Sequence, residues 1–246
     1  MKSISVILSG YRRPHTLLEQ YSSIINQSLQ VDEILFWQNR HMGEIFDSNV
    51  LNQCKSVISN HNFGVWSRFA FALNCKSDYI CILDDDTIPG NRFLENCLTS
   101  FEKKPGLYGT IGLIYPSSET YHNAERVGWK GLNNEEIEEV DIVGHAWFFS
   151  REMLSIFWRE LPDAECIYVG EDMHFSFMLQ KYSNMKTYVP PHPTSNTSLW
   201  GSLKGSEYGG DINATGNFAV PMMDDYYRKI VGQGFKILKE NTNEKF

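Results

Sequence analysis

The sequence predicts an α/β protein: a mostly parallel central sheet flanked by helices, followed by a smaller mixed subregion. Three observations carry that expectation. Apolar, β-branched segments alternate with helical periodicities from residue 3 to residue 115, the order that builds a parallel sheet with right-handed crossovers. The segment Tyr79-Ile80-Cys81-Ile82-Leu83 is apolar or nearly so throughout and runs straight into Asp84-Asp85-Asp86, as a strand buried on both faces and ending at a ligand-binding edge would. Beyond Pro116 the alternation gives way to short strand candidates. The 246 residues, 42% hydrophobic, suffice for a packed core, and no repeat or linker divides them. One domain is expected, with halves at 1–115 and 116–246.

Residues 3–9 form the first strand, which breaks at Gly10 before Tyr11-Arg12-Arg13-Pro14 opens a helix to about Asn26. Residues 32–37 form a second strand tipped by Gln38-Asn39-Arg40-His41, 44–53 a helix and 55–59 a short third strand. After Gly64 a helix presents Trp66, Phe69, Ala70 and Leu73 on one apolar face, with Arg68 off that face. The carboxylate strand follows, then the turn Pro89-Gly90-Asn91, where Asn91 caps a helix pointing Leu94, Leu98 and Phe101 to the core. Residues 107–115 read as a further strand. Short strands at 121–127 and 140–143 flank the acidic run of residues 135–139, a solvated surface. Residues 146–150 are a strand and 151–159 an amphipathic helix; Glu171-Asp172 opens another helix to about Tyr182. A strand from near Lys186 ends at Pro190-Pro191-His192-Pro193. Residues 194–217, rich in Gly, Ser, Thr and Asn, read as a lid, a binding loop or disorder. Residues 222–231 are helical and the tail from Glu240 frays.

A formal charge of −8 argues against nucleic acid or an anionic membrane as partner. Five cysteines with no Cys-x-x-Cys pair read as reduced core thiols. No apolar run approaches a membrane span, so the cytoplasm is the expected location.

Three adjacent carboxylates repel one another, and a hard divalent cation with oxygen ligands relieves that repulsion. The rival reading of Asp84-Asp85-Asp86 is a solvated acidic turn. A calcium loop is rejected, because Ile88 occupies a ligand position and Gly90 falls one place late. Asp172, in a first helical turn, is expected to stay ionised near neutral pH, as a base or a cation-stabilising group or simply as a helix cap. Arg12, Arg13 and Arg68 could reach the same sheet edge and grip a diphosphate, although each singly reads as a surface arginine. Asn39 could read a base edge or be an ordinary turn residue. His192, held between prolines, would complete an oxygen-rich Mn2+ site or be a loop histidine, and His145 carries the same alternatives.

With these residues assembled, the chain resembles nucleotide-sugar glycosyltransferases of the GT-A fold, and most closely the exostosin-type N-acetylhexosaminyltransferase family. The resemblance lies in Tyr11-Arg12-Arg13, Trp37-Gln38-Asn39, Asn62, Arg68-Phe69, Asp84-Asp85-Asp86-Thr87 and Glu171-Asp172. It implies a GT-A, Rossmann-like sheet with an acceptor-side subregion. It also implies that Arg13, Asn39, Asn62, Arg68, Asp84 and Asp85 contact uridine and ribose-diphosphate, with Tyr11 in the same turn. Asp86 would hold Mn2+, or Mg2+ in its place, and Asp172, beside Glu171, would sit beneath the transferred sugar. Arg228 matches a family arginine that meets the diphosphate or the sugar. The chain starts almost at its first strand and lacks the family's usual anchor and disulfides, so a free-standing bacterial or viral enzyme is expected.

The activity expected is metal-dependent transfer of an N-acetylhexosamine or hexose from a UDP-sugar to a glycan or other hydroxyl acceptor, with retention. Inversion with Asp172 as general base is the alternative. A sugar-phosphate nucleotidyltransferase is a rival, although Ser9-Gly10-Tyr11-Arg12-Arg13 has a single glycine where such enzymes have a Gly-rich loop. A non-catalytic sugar or nucleotide binder is a third reading.

Overall fold

In the computed structural model, residues 2–128, 132–162, 167–203 and 219–241 are described. Their elements run β1 (Ile4–Gly10), a 3₁₀ turn (Pro14–Thr16) into α1 (Leu17–Ile25), β2 (Glu33–Gln38), α2 (Ser48–Leu51), β3 (Lys55–Ile58), α3 (Ser67–Phe71), β4 (Tyr79–Leu83) and α4 (Phe93–Lys103). Then come β5 (Gly106–Tyr108), β6 (Ile111–Ile114), β7 (Glu125–Val127), β8 (Glu138–Val140), β9 (Ile142–Gly144), β10 (Ala146–Ser150) and α5 (Leu154–Phe157). The chain continues through α6 (Glu171–Tyr182), β11 (Lys186–Val189), α7 (Val220–Gly232) and α8 (Leu238–Asn241).

Side chains alternate across a strand, so a strand covered on both faces is apolar throughout. β4 shows this, and β1 does so apart from Ser5 and Ser9. Ile4, Val6, Leu8, Cys81 and Leu83 pack with Leu17 and Ile24 of α1 and Phe93, Leu94 and Cys97 of α4. Ile7, Ile80 and Ile82 face the opposite layer, with Phe69, Phe157, Phe175, Met178 and Tyr226 from α3, α5, α6 and α7. The main sheet has the order β3-β2-β1-β4-β10-β5-β11-β8, and β7-β6-β9 form a small second sheet. β3, β2, β1 and β4 are mutually parallel in sheet order. All four therefore deliver their C-terminal ends to one edge.

The second half departs from the expected run. Residues 107–115 split into β5 and β6, which belong to different sheets. At the break, a Cβ on Gly109 would lie 2.4 Å from Val143 and 2.8 Å from the Ala146 carbonyl oxygen, so only glycine lets the chain pass there. β10 enters between β4 and β5 antiparallel to both. It is reached through the small sheet rather than through a helical crossover, and without a crossover a neighbouring strand returns antiparallel. Tyr121–Asn123 is a 3₁₀ turn, not strand, and the expected strand at 140–143 is two, β8 and β9.

Local boundaries also shift. Arg12, at φ 63°, breaks the backbone before Pro14, so the first helix starts late. The helix expected over 44–53 contracts to α2, whose cap Asp47 accepts from the Asn49 amide at 2.8 Å. α4 is preceded by Arg92, not Asn91, at its cap position. The helix expected over 151–159 is a 3₁₀ turn (Arg151–Met153) followed by α5. The 194–217 loop lies outside the described residues from 204 on, and its described part includes a 3₁₀ turn at Thr197–Leu199. Cys54, Cys75, Cys81 and Cys97 are free thiols, while Cys166 and the end of the tail lie outside the described residues. Among the described residues no helix is long and apolar enough to cross a membrane.

Candidate active site

The acidic turn after β4 is held by backbone contacts on two sides. The Asp84 amide donates to the His145 carbonyl at 3.1 Å, and the Thr87 hydroxyl donates to the same carbonyl at 2.8 Å. From α1, the Gln20 amide nitrogen donates to the carbonyls of Asp84 (2.6 Å) and Thr87 (2.9 Å). With the main chain fixed, the three carboxylates fan out to different partners. Asp84 pairs with Arg68. Asp85 accepts from Arg13 Nη1 at 2.5 Å and from the Tyr11 amide at 3.1 Å. Asp86 lies 3.6 Å from Arg13 and 3.5 Å from Nδ1 of His145.

The electrostatics follow from these partners. Burial pushes Asp85 up to about 7, against the lowering pull of Arg13. Burial also acts to raise Asp86, yet His145 and Arg13 outweigh it and hold the group down at about 2. Burial acts to lower His145, but Asp86 reverses this and its pKa rises. His145 adopts φ 63°, a left-handed backbone that is uncommon for a non-glycine residue. That conformation sits between β9 and β10, where the chain turns from the small sheet into the main one. One oxygen each of Asp84 and Asp86 and one ring nitrogen of His145 lie within 4.8 Å of one another. Carboxylate oxygens with an imidazole form a donor set suited to a cation such as Mn2+.

The second acidic pair opens α6. Gly170 precedes it at φ 97°, and a Cβ there would lie 2.8 Å from the Tyr226 ring, so glycine sets the entry of this helix. Arg68 crosses from α3 with Nη2 2.6 Å from Glu171 Oε1, and its guanidinium lies 4.5 Å from the centroid of the Trp147 ring. A single buried arginine thus ties Asp84 to Glu171. Burial raises Glu171 to about 8, with Arg68 acting the other way. Asp172 accepts from the Met173 amide at 2.7 Å on one oxygen and from the Tyr121 hydroxyl at 3.1 Å on the other. Burial raises its pKa despite both donors. The first-turn position alone suggested a carboxylate held firmly ionised; the desolvation of this corner opposes that.

The other expected residues are placed as follows. The Asn39 amide nitrogen donates to the Gly64 carbonyl at 2.8 Å and its oxygen accepts from Trp37 Nε1 and the Phe63 amide, so it ties β2 to the following loop. Asn62 accepts from the Gly64 amide at 2.9 Å, a local turn. His192 is 1% exposed, and its ring nitrogens meet the Pro190 carbonyl (2.8 Å) and the Gly201 amide (2.9 Å); it stands outside the Asp84-Asp86-His145 group. Arg228 is exposed on α7 and pairs at 2.6 Å with Asp225 of its own helix. Arg68, read from periodicity as lying off the packed face, is 8% exposed, and Ala70 and Leu73 are exposed instead. Tyr121 and Trp147 were not singled out by sequence; a tyrosine in a polar stretch and a tryptophan in an apolar strand carry no local mark of a site.

Residues 5–157 match the family described as Glycosyl transferase family 2. The chain belongs to that family. A family 2 glycosyltransferase accounts for the architecture found here, a GT-A α/β fold with an acidic cluster at the C-terminal edge of the parallel strands. No curated protein matches the chain. The match reaches the broad family and not the exostosin-type subfamily. It covers Asp84, Asp86 and His145 and ends before Glu171 and Asp172.

Proposed function

We propose that this glycosyltransferase moves an N-acetylhexosamine or hexose from a UDP-sugar to a hydroxyl of a glycan or other acceptor, in a cation-dependent reaction. The observation that carries the reading is the pairing of two acidic groups at one sheet edge, the Asp84-Asp86-His145 cluster and the Glu171-Asp172 pair, joined by Arg68. Asp84, Asp86 and His145 would hold Mn2+, or Mg2+ in its place. When bound, such a cation neutralises charge on the departing diphosphate. Arg13 adds positive charge beside the cluster and fixes Asp85, while the Tyr11 amide keeps the strand end in register with it.

Asp172 is the group we assign to the acceptor. Its carboxylate is half-buried, raised in pKa and held by one donor on each oxygen, properties that suit a base taking the proton of an attacking hydroxyl. That favours inversion. Retention is what the exostosin-type resemblance implies, with Asp172 stabilising a cationic sugar instead. Location in the cytoplasm belongs to the same proposal.

Proton NMR tests the reading. The protein is incubated with Mn2+, a panel of UDP-hexoses and UDP-N-acetylhexosamines, and simple glycoside acceptors. The anomeric proton of the first product then reports its configuration. An inverted product supports Asp172 as base, a retained product rejects that role, and no sugar transfer from any donor removes the proposal.

A further inference from the structure

Asp172 is set by a contact from outside α6. Its Oδ2 accepts from the hydroxyl of Tyr121, which lies in the 3₁₀ turn between β6 and β7, 51 residues away along the chain. Its Oδ1 accepts from the Met173 amide. Tyr121 is in turn fixed from a third segment: Asp224 of α7 accepts the Tyr121 amide at 2.9 Å and the Thr120 hydroxyl at 3.0 Å. Its ring packs against Tyr115 at 5.9 Å and Tyr227 at 6.2 Å between centroids, and those two rings stack at 4.5 Å. Burial and the charge of Asp172 push the Tyr121 phenol far above its ordinary range, so it stays a neutral donor.

An aspartate side chain has two torsions that move its carboxylate, and one backbone amide leaves them adjustable. A phenol fixed by a stacked aromatic group and an anchored backbone removes the freedom. Base catalysis needs the accepting oxygen in place before the hydroxyl arrives, and small misplacements are costly.

We propose that Tyr121, anchored by Asp224, is a positioning residue that orients the Asp172 carboxylate for reaction. The inference rests on the transferase reading and adds to it a requirement for α7, which lies beyond the family match. Asp172 acts on the acceptor; Tyr121 acts through Asp172 and touches no substrate.

The test uses the full chain and the UDP-sugar that supports the fastest UDP release with Mn2+. Tyr121→Phe keeps the ring packing and removes only the hydroxyl. Its kcat is expected to fall about tenfold to a hundredfold, the range for losing a hydrogen bond to a charged group. KM for the donor, and the affinity and stoichiometry of UDP measured by titration calorimetry, stay within about twofold of the wild type. Asp224→Ala is expected to lower kcat in the same direction at unchanged stoichiometry. Tyr121→Phe on an Asp172→Asn background is expected to change kcat by less than about twofold, because the two residues act as one unit. A kcat for Tyr121→Phe equal to wild type overturns the inference while leaving the transferase reading intact. So does a loss matched by lost UDP sites, or a full further loss on the Asp172→Asn background. A normal kcat for Asp224→Ala overturns the anchoring by α7. If the wild type releases UDP from no UDP-sugar, the transferase reading fails and the positioning role fails with it.

Discussion

Replacing Arg68 by methionine tests how the two acidic groups are held together. Arg68 is 8% exposed, and its guanidinium pairs with Asp84, reaches Glu171 at 2.6 Å and lies over Trp147 at 4.5 Å. Methionine keeps the packing volume against the tryptophan and removes the charge and both hydrogen bonds. Removing one partner of a buried ion pair costs about 3–5 kcal/mol, because the other charge is left uncompensated. Two features reduce that figure here. Glu171 is raised to about 8 and takes up a proton at neutral pH, and the Asp84 side chain is 25% exposed, so water recovers part of its solvation. The expected loss is therefore about 2–3 kcal/mol, or about 4–12 °C in melting temperature for a chain of this size. Urea unfolding at pH 7, followed by tryptophan fluorescence and far-ultraviolet circular dichroism, measures it. Arg68→Lys keeps the charge but cannot span both carboxylates as a fork, so it falls between wild type and methionine. A loss below about 1 kcal/mol for Arg68→Met would show that Asp84 and Glu171 do not depend on this arginine, and the coupling argued from its geometry would be wrong.

Three further outcomes follow from particular contacts. The His192 pKa is lowered by burial to about 4, so the unfolded chain takes up this proton first. Stability should fall as pH drops from about 6.5 to about 4, by about 3 kcal/mol in total; a His192→Asn variant whose acid unfolding curve kept the same slope would contradict this. Asp172→Asn should cut kcat more than a hundredfold while UDP affinity stays within about twofold, since a base acts only in the reaction step; equal losses in both would move Asp172 to donor binding. Gly170→Ala should destabilise by about 1–3 kcal/mol, because the left-handed backbone and the Tyr226 ring both oppose a Cβ; an unchanged urea midpoint would refute that.

How much of this was legible in the sequence depends on whether the cause is local. β1 and β4 could be read because burial on both faces leaves central strands almost wholly apolar, while β2 and the exposed edge strand β3 were read from short apolar or β-branched runs with polar ends. The break at Gly109 and the reversal of β10 could not be read: both depend on how close Val143 and Ala146 approach, which no run of residues encodes. The acidic groups announced themselves through residue type, Asp84-Asp85-Asp86 after an apolar strand and Glu171-Asp172 after a glycine. Their partners did not. Arg68 looked like a surface residue because three-residue spacing assigns it to the solvent side of α3, whereas carboxylates from β4 and α6 draw it inside. His145 and His192 were equivalent as sequence, each in a loop beside a strand. The fold separates them, placing one against Asp86 and locking the other between two backbone groups. Tyr121 was taken as strand, and its contact with Asp172 exists only once the two segments pack.

On the proposed function, the acidic edge binds a nucleotide sugar together with a divalent cation. Thermal unfolding of the full chain in the presence of UDP, UDP-glucose and UDP-N-acetylglucosamine, each with and without Mn2+, tests it most directly, because a ligand that binds only the folded state raises the midpoint by mass action. A rise of several degrees is predicted when nucleotide and Mn2+ are present together, with a much smaller rise for either alone and none for Asp86→Ala. Midpoints that do not move with any of the three nucleotides and Mn2+ would contradict the account.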